Sequence, residues 1–340
     1  MTRQLAPGPL FAVGVWRSGT SLLYALLNQH PQIALLYEGD LPLLKTFFYP
    51  GLRSHWKDRW DFWAGAVRRH QFSPSDLPAS PRSAIEATNL VYREFAAAKD
   101  AVIWGDKSPT YRDELLHLAG DFPNARFLII WRNPLGFSRS IVNAAASVDG
   151  LYFRRPGILN RSLFGYREMY RQVLELKRRG RLLHEVHFEA LTANPEPVLR
   201  GICEFLGIDF VPQMLSLKDA DRSAIMEGKH HQMVKSGRIA AGADRPEVLR
   251  PEWKAKIERY IRLWKRESGG AWPVHPAQPP GGEDLPGAWE QLKDRVLYRA
   301  FRWSDWLVLF LYSFIPIQML QNYRARKKER ARQAESAAGN

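Results

Sequence analysis

Segments of strand length recur along the chain at Leu10–Val15, Ile33–Leu36, Ala101–Trp104, Arg126–Trp131 and Leu183–Phe188, apolar for the most part in all but the last. Between them apolar residues return at helical spacing, as with Leu22, Leu23, Leu26 and Leu27 after the first run. This alternation predicts an α/β fold: a parallel sheet flanked by helices, with ligands taken at the carboxyl ends of the strands. Arg17, Lys107 and Arg132 each follow one of these runs closely, so the pattern alone gathers them at one edge of the sheet. Residues 39–100 interrupt the alternation with Trp56, Trp60, Phe62 and Trp63 set beside Lys57, Arg59, Arg68 and Arg69. They read as a helical insertion with a small core of its own, contributing to a pocket as a lid.

A Pro- and Gly-rich stretch, 273–287, reads as a linker that closes a domain over 1–272. Beyond it, 288–340 is an apolar-basic helical tail: Trp303–Leu320 is aromatic and aliphatic, and cations crowd 324–332. The most apolar part, Trp306–Ile315, falls short of the about 20 residues that a span needs, and Pro316 interrupts it. Shallow attachment to an anionic membrane surface through 303–332 is therefore expected; packing on the domain, or on a second subunit as a homodimer, is the alternative.

The formal net charge of +14 suits an anionic nucleotide substrate or an anionic membrane. No nucleic-acid module is recognisable, so nucleic acid is not an expected partner. Cys203, the single cysteine, cannot form an intramolecular disulfide. It shares a helical apolar face with Val198, Leu199, Ile202 and Leu206 and reads as core. No signal-peptide pattern precedes the first strand, and a cytoplasmic location, or a peripheral one on the cytoplasmic face of a membrane, is expected.

The chemistry concentrates in Gly14-Val15-Trp16-Arg17-Ser18-Gly19-Thr20-Ser21. Strand, Gly-containing turn and helix aim backbone N–H groups and a positive helix end at an anion. The spacing is P-loop-NTPase-like, but Thr20 stands where the P-loop has its lysine, and the nearest cation is Arg17. A kinase-like phosphotransferase would need that lysine. It remains an alternative reading, beside a non-catalytic, membrane-associated nucleotide-binding protein. His, Cys and carboxylates do not cluster at ligand spacing, and no metal is expected.

Arg17-Ser18-Gly19-Thr20-Ser21-Leu22-Leu23 resembles the 5'-phosphosulfate loop of sulfotransferases that use 3'-phosphoadenosine 5'-phosphosulfate (PAPS). Phe122 to Pro134, with Arg126-Phe127-Leu128-Ile129-Ile130-Trp131-Arg132, resembles the strand that leads to the family's 3'-phosphate site. His187-Phe188-Glu189-Ala190-Leu191, Asn194-Pro195-Glu196 and Phe205-Leu206-Gly207 resemble its late strand–turn–helix. The three matches are in order over about 8–212. The arginine in the first loop is nearest the tyrosylprotein sulfotransferase-like branch.

The resemblance implies PAPS as co-substrate, bound by Arg17, Ser18, Gly19, Thr20 and Ser21 at the phosphosulfate and by Arg132 and Ser140 at the 3'-phosphate. Asn133-Pro134-Leu135 departs from the family's Asp-Pro-Arg, so one auxiliary arginine is missing. Arg238, in the basic run His230–Arg238, resembles a residue of the loop that closes on that phosphate. The catalytic set is Arg17, Glu38 and Lys107. Glu38, twenty-one positions after Arg17, matches the general base of the tyrosylprotein branch. His30 and His55 are its rivals, since other branches use histidine. Lys107, in Gly105-Asp106-Lys107-Ser108-Pro109, would neutralise the leaving phosphate or the sulfuryl oxygens. The acceptor would carry a hydroxyl, on a carbohydrate or a lipid-linked molecule.

Overall fold

The computed structural model describes residues 6–65, 81–146, 151–218, 225, 239, 249–269, 284–323 and 325–326. Five strands, β1 (Leu10–Val13), β2 (Ile33–Tyr37), β3 (Ile103–Lys107), β4 (Arg126–Trp131) and β5 (Leu183–His187), form one sheet in the order β2-β3-β1-β4-β5. Every pairing is parallel. The chain leaves β1 towards one edge and later returns to its other side, so the strand order switches at β1. A crevice opens at the carboxyl ends of the strands at such a point.

Successive side chains of the central strands enter different cores, as the two-residue period of a strand requires. Phe11 and Val13 of β1, with Phe127, Ile129 and Trp131 of β4, join one apolar cluster. Leu10, Ala12, Leu128 and Ile130 join another. The second cluster contains α1 (Thr20–Leu27) and α8 (Pro195–Leu206), whose Cys203 is buried against Met214. On the first face lie α4 (Leu115–Asp121), α5 (Pro134–Ala145), α6 (Ile158–Arg178) and α9 (Pro251–Glu267). A short helix, α7 (Phe188–Ala193), leads from β5 to α8.

The insertion divides. Its helix α3 (Ala84–Ala97) packs on β2 and β3 and belongs to the sheet's own covering layer. Ser83 caps it by accepting from the Glu86 N–H at 3.1 Å. Three short 3-10 turns and α2 (Trp56–Ala64) supply the small aromatic core, where Trp56 and Trp60 are fully buried and stacked 6.0 Å apart. Arg68 and Arg69 lie outside the described residues.

One sequence expectation is corrected. β3 runs on to Lys107, past the expected end at Trp104, because Gly105, Asp106 and Lys107 pair with Leu10, Phe11 and Ala12 of β1. An apolar-run reading stops at a charge, whereas this strand carries a buried aspartate that its neighbours satisfy. After the linker the chain packs on the domain, one of the arrangements that the sequence left open. Helix α10 (Ala288–Ser313) begins well before the apolar stretch and docks along α6, α9 and the insertion.

Candidate active site

The loop after β1 turns sharply. The Ser18 N–H donates to the Val15 carbonyl at 3.1 Å, Arg17 takes a left-handed φ of 68° and Gly19 one of 98°. A Cβ at Gly19 would lie 2.2 Å from the Phe188 ring, and one at Gly14 would lie 2.4 Å from Ser18 Oγ. Close approach thus requires both glycines, and at Gly19 the left-handed conformation requires one as well. α1 begins directly after Gly19, so its first N–H groups and Arg17 share one end of the turn. Ser18 Oγ is buried and makes no hydrogen bond within the described protein. An orphaned hydroxyl, a helix N-terminus and a buried guanidinium together make a cradle that fits a phosphate-like group.

Arg17, Arg132 and Ser140 come together, though in a pattern the sequence did not reveal. Arg17 Nε donates to Ser140 Oγ at 3.0 Å, and Arg132 Nη1 donates to the Arg17 carbonyl at 2.9 Å. Arg132 also lies over the Phe188 ring, with Cζ 4.2 Å from its centroid. α5 presents Ser140 because Asn133 caps its first turn, accepting from the Leu135 N–H at 2.9 Å. Glu189 accepts from the Asn133 N–H at 2.9 Å, which ties this turn to α7. Burial, then the nearby positive charge of Arg132, lowers the Arg17 guanidinium to about 10. It stays charged near neutrality, and an anion between the two guanidinium groups would offset their repulsion.

Glu38 and Lys107 form the other half of the site. Lys107 Nζ donates to Glu38 Oε1 at 2.8 Å and sits 3.3 Å from the Tyr37 ring centroid. The Tyr37 hydroxyl meets Ser21 Oγ at 2.7 Å, so one tyrosine joins the phosphate loop to this ion pair. The lysine side chain is fully buried, while the Glu38 side chain keeps 23% of its surface open. Lys107 is therefore a strand-end residue aimed at the candidate base, and not a solvated loop lysine. Thr20 is buried at the start of α1. His30 is ruled out as base, since its Nδ1 accepts from the Gln32 N–H at 3.0 Å and its Nε2 meets the Asp209 carbonyl at 2.7 Å. His55 lies exposed at the start of α2. Arg238 lies outside the described residues.

Sequence reasoning missed Asp106. Its Oδ2 accepts from the Tyr111 hydroxyl at 2.6 Å, the Tyr92 hydroxyl at 3.0 Å and the Asp40 N–H at 3.0 Å; its Oδ1 accepts from the Gly39 N–H at 3.2 Å. Burial pushes this carboxyl up, and the four donors partly offset the push. The bonds hold the loop that carries Glu38, where Glu38 and Asp40 both adopt left-handed φ values of 51° and 54°. Trp60 of α2 adds a bond from Nε1 to the Gly39 carbonyl at 2.7 Å. The insertion thus supports the base's loop. An aspartate directly before the lysine was the available signal, but its donors are far apart in sequence.

A second buried carboxylate, Asp113, pairs with Arg112 at 3.2 Å and Arg161 at 2.7 Å and accepts from the Tyr298 hydroxyl of α10. Burial pushes it up, but the arginines prevail and hold it at about 2. Arg112 stacks 3.9 Å from the centroid of Trp16, so this network reaches the phosphate loop from behind. Among the described residues, no group of three or more His, Cys, Asp or Glu is placed to hold a metal ion.

Comparison with known proteins supports the family and the fold. Residues 9–212 match the profile of the "Sulfotransferase family". Nodulation protein NoeE of Sinorhizobium fredii is 31% identical over 145 residues, 42% of this chain and 33% of that protein. Protein-tyrosine sulfotransferase 2 of Gallus gallus is 26% identical over 222 residues, 61% of this chain and 53% of that protein. The matches thus span between a third and about half of these relatives' lengths. Among solved structures, the sulfotransferase domain from the curacin biosynthetic pathway superposes with a TM-score of 0.51 at 20% identity. That alignment covers 76% of this chain and 99% of that domain, a likeness of fold. With a profile match over more than half of its length and the same parallel sheet, the chain belongs to the sulfotransferase family.

Proposed function

We propose that this protein transfers the sulfuryl group of PAPS to a hydroxyl acceptor, carbohydrate or lipid-linked, by in-line displacement. The observation that carries the reading is the pairing of two half-sites at one sheet edge. Arg17 and Arg132 offer adjacent, half-buried positive charge beside the Gly19 turn, and Glu38 with Lys107 stands across Tyr37 from them. Arg17 and the start of α1 bind the 5'-phosphosulfate, and Arg132 with Ser140 faces the 3'-phosphate. Glu38 takes the acceptor proton as the acceptor oxygen bonds to sulfur. The bond from sulfur to the 5'-phosphate oxygen breaks, and its electron pair leaves with 3'-phosphoadenosine 5'-phosphate. Lys107 fixes the Glu38 carboxylate and supplies positive charge where negative charge grows. The Thr20 substitution disfavours the kinase-like alternative.

The test begins with thermal melting of the full chain with PAPS, 3'-phosphoadenosine 5'-phosphate, or ATP and magnesium. Stabilisation by the first two is expected, followed by transfer of radiolabelled sulfate to cell-derived glycans or glycolipids. Stabilisation by ATP alone, with phosphate transfer, would overturn the reading.

A further inference from the structure

Helix α10 is built inside out. A surface helix of a globular protein turns its apolar stripe to the core and its polar face to water. Here the buried residues are Asp294, Tyr298 and Ser313. Asp294 accepts from Tyr260 at 2.8 Å and from Lys256 at 2.6 Å, and Ser313 Oγ meets Thr46 Oγ1 at 2.6 Å. The outward face carries Trp289 (75% exposed), Leu292, Val296, Trp303, Leu311 and Phe314, each at least 48% exposed. Towards its end Trp306 stacks on Phe310, centroids 5.2 Å apart, and Phe310 meets Phe314 edge to face at 5.0 Å. An apolar strip of this length on open surface marks an interaction site.

Charge selects the partner. The three acids of α10 all turn to the domain: Glu290 to Arg259, Asp294 to Lys256, and Asp305 to Arg155 and Arg161. Its exposed charges are Lys293, Arg295 and Arg299, all positive. The sequence continues with Arg324, Arg326, Lys327, Lys328, Arg330 and Arg332 against the single acid Glu329. Apolar aromatics rimmed by cations alone fit an anionic lipid surface. The inner face of α10 is tied to the domain by the ion pairs of Glu290, Asp294 and Asp305, which favours a helix lying on a surface over one crossing it. No described single helix is long and apolar enough to cross a membrane, and the next helix, Ile317–Tyr323, turns away by 103°.

We infer that the protein docks on anionic membranes through the outward face of α10, which lies in the membrane plane while the opposite face stays bound to the domain. The apolar strip extends back to Trp289, well before the 303–332 segment that sequence alone pointed to. At its far end Tyr312 packs on Phe62 and Trp63 of α2, centroids 5.3 and 5.2 Å away. The same helix holds the Glu38 loop through Trp60, so the docked face sits beside the insertion that borders the site.

The test is co-sedimentation of the full chain with vesicles of phosphatidylcholine, alone or mixed with phosphatidylserine, which needs no sulfuryl transfer. Binding to the mixed vesicles at low salt is expected, at least tenfold weaker on neutral ones. W303S/L311S should weaken it by more than tenfold. R295E/R299E should weaken it selectively on anionic vesicles, at roughly fivefold per cation removed. Unchanged melting temperature and PAPS-induced stabilisation show that the variants are folded; should W303S/L311S misfold, R295E/R299E alone decides. No binding to anionic vesicles, or binding that is indifferent to both variants, would overturn the inference. So would a stable dimer in solution that W303S/L311S dissociates, since a second copy would then cover the face.

Discussion

Asp106→Asn should damage catalysis by releasing the loop that carries Glu38. Four donors converge on this carboxylate, and hydrogen bonds to a charged group contribute about 1.5–3 kcal/mol each. Opposing them, the left-handed Glu38 and Asp40 cost about 1–3 kcal/mol each. The bonds prevail in the wild type. Asparagine can place its oxygen before Tyr92, Tyr111 and the Asp40 N–H, but its amide then meets the Gly39 N–H donor to donor. One bond is lost and three lose their charge assistance, partly offset because a buried charge is removed. The net cost is about 2–3 kcal/mol, comparable with the strain it had to hold. Urea unfolding should report that loss, and kcat should fall at least about tenfold, the size of about 1.4 kcal/mol of misplaced base. The apparent affinity for PAPS should hardly change, because Arg17 and Arg132 follow β1 and β4 while the released loop follows β2. Wild-type stability and kcat in this variant would refute the reasoning, and a matching loss of PAPS affinity would mean that the two half-sites are not separable.

Glu38→Gln should keep PAPS binding while reducing turnover by roughly a hundred to ten thousandfold, measured at saturating PAPS; loss of affinity with turnover intact would make Glu38 structural. Arg132→Ala should weaken 3'-phosphoadenosine 5'-phosphate far more than the analogue without the 3'-phosphate, read by calorimetric titration; equal losses would show that Arg132 does not read that group. Asp113, held at about 2 against an ordinary 3.8, contributes about 2 kcal/mol that is fully present above its ordinary value and is lost as pH falls through about 2; the stability difference between wild type and Asp113→Asn should shrink over that window. Truncation after Pro286 takes Tyr298 from Asp113 and Asp294 from Lys256 and Tyr260, so the shortened chain should melt earlier and lose turnover; an unchanged melt would show that α10 is dispensable to the domain.

Much of the architecture was written locally. Short β-branched and aliphatic runs alternating with helix-spaced leucines specify buried parallel strands, because only a sheet covered on both faces uses apolar residues at every position. The Gly14–Ser21 loop was legible for the same kind of reason: positive φ, close approach and a helix start are each demands on individual residues. Arg17, Arg132, Lys107 and Glu38 could be placed at one edge because each ends or follows a strand of that sheet. Their contacts could not. That Ser140 binds Arg17, that Lys107 reaches Glu38 across the Tyr37 ring, and that Asp106 gathers Tyr92, Tyr111 and the Gly39–Asp40 backbone depend on strand order and on packing between segments distant in sequence. The orientation of α10 belongs to the same class. Its composition announced an apolar-basic helix, but only docking against α6, α9 and the insertion decided that Asp294, Tyr298 and Ser313 turn inward. These three find buried partners there, which leaves Trp289, Leu292, Trp303, Trp306 and Leu311 outside.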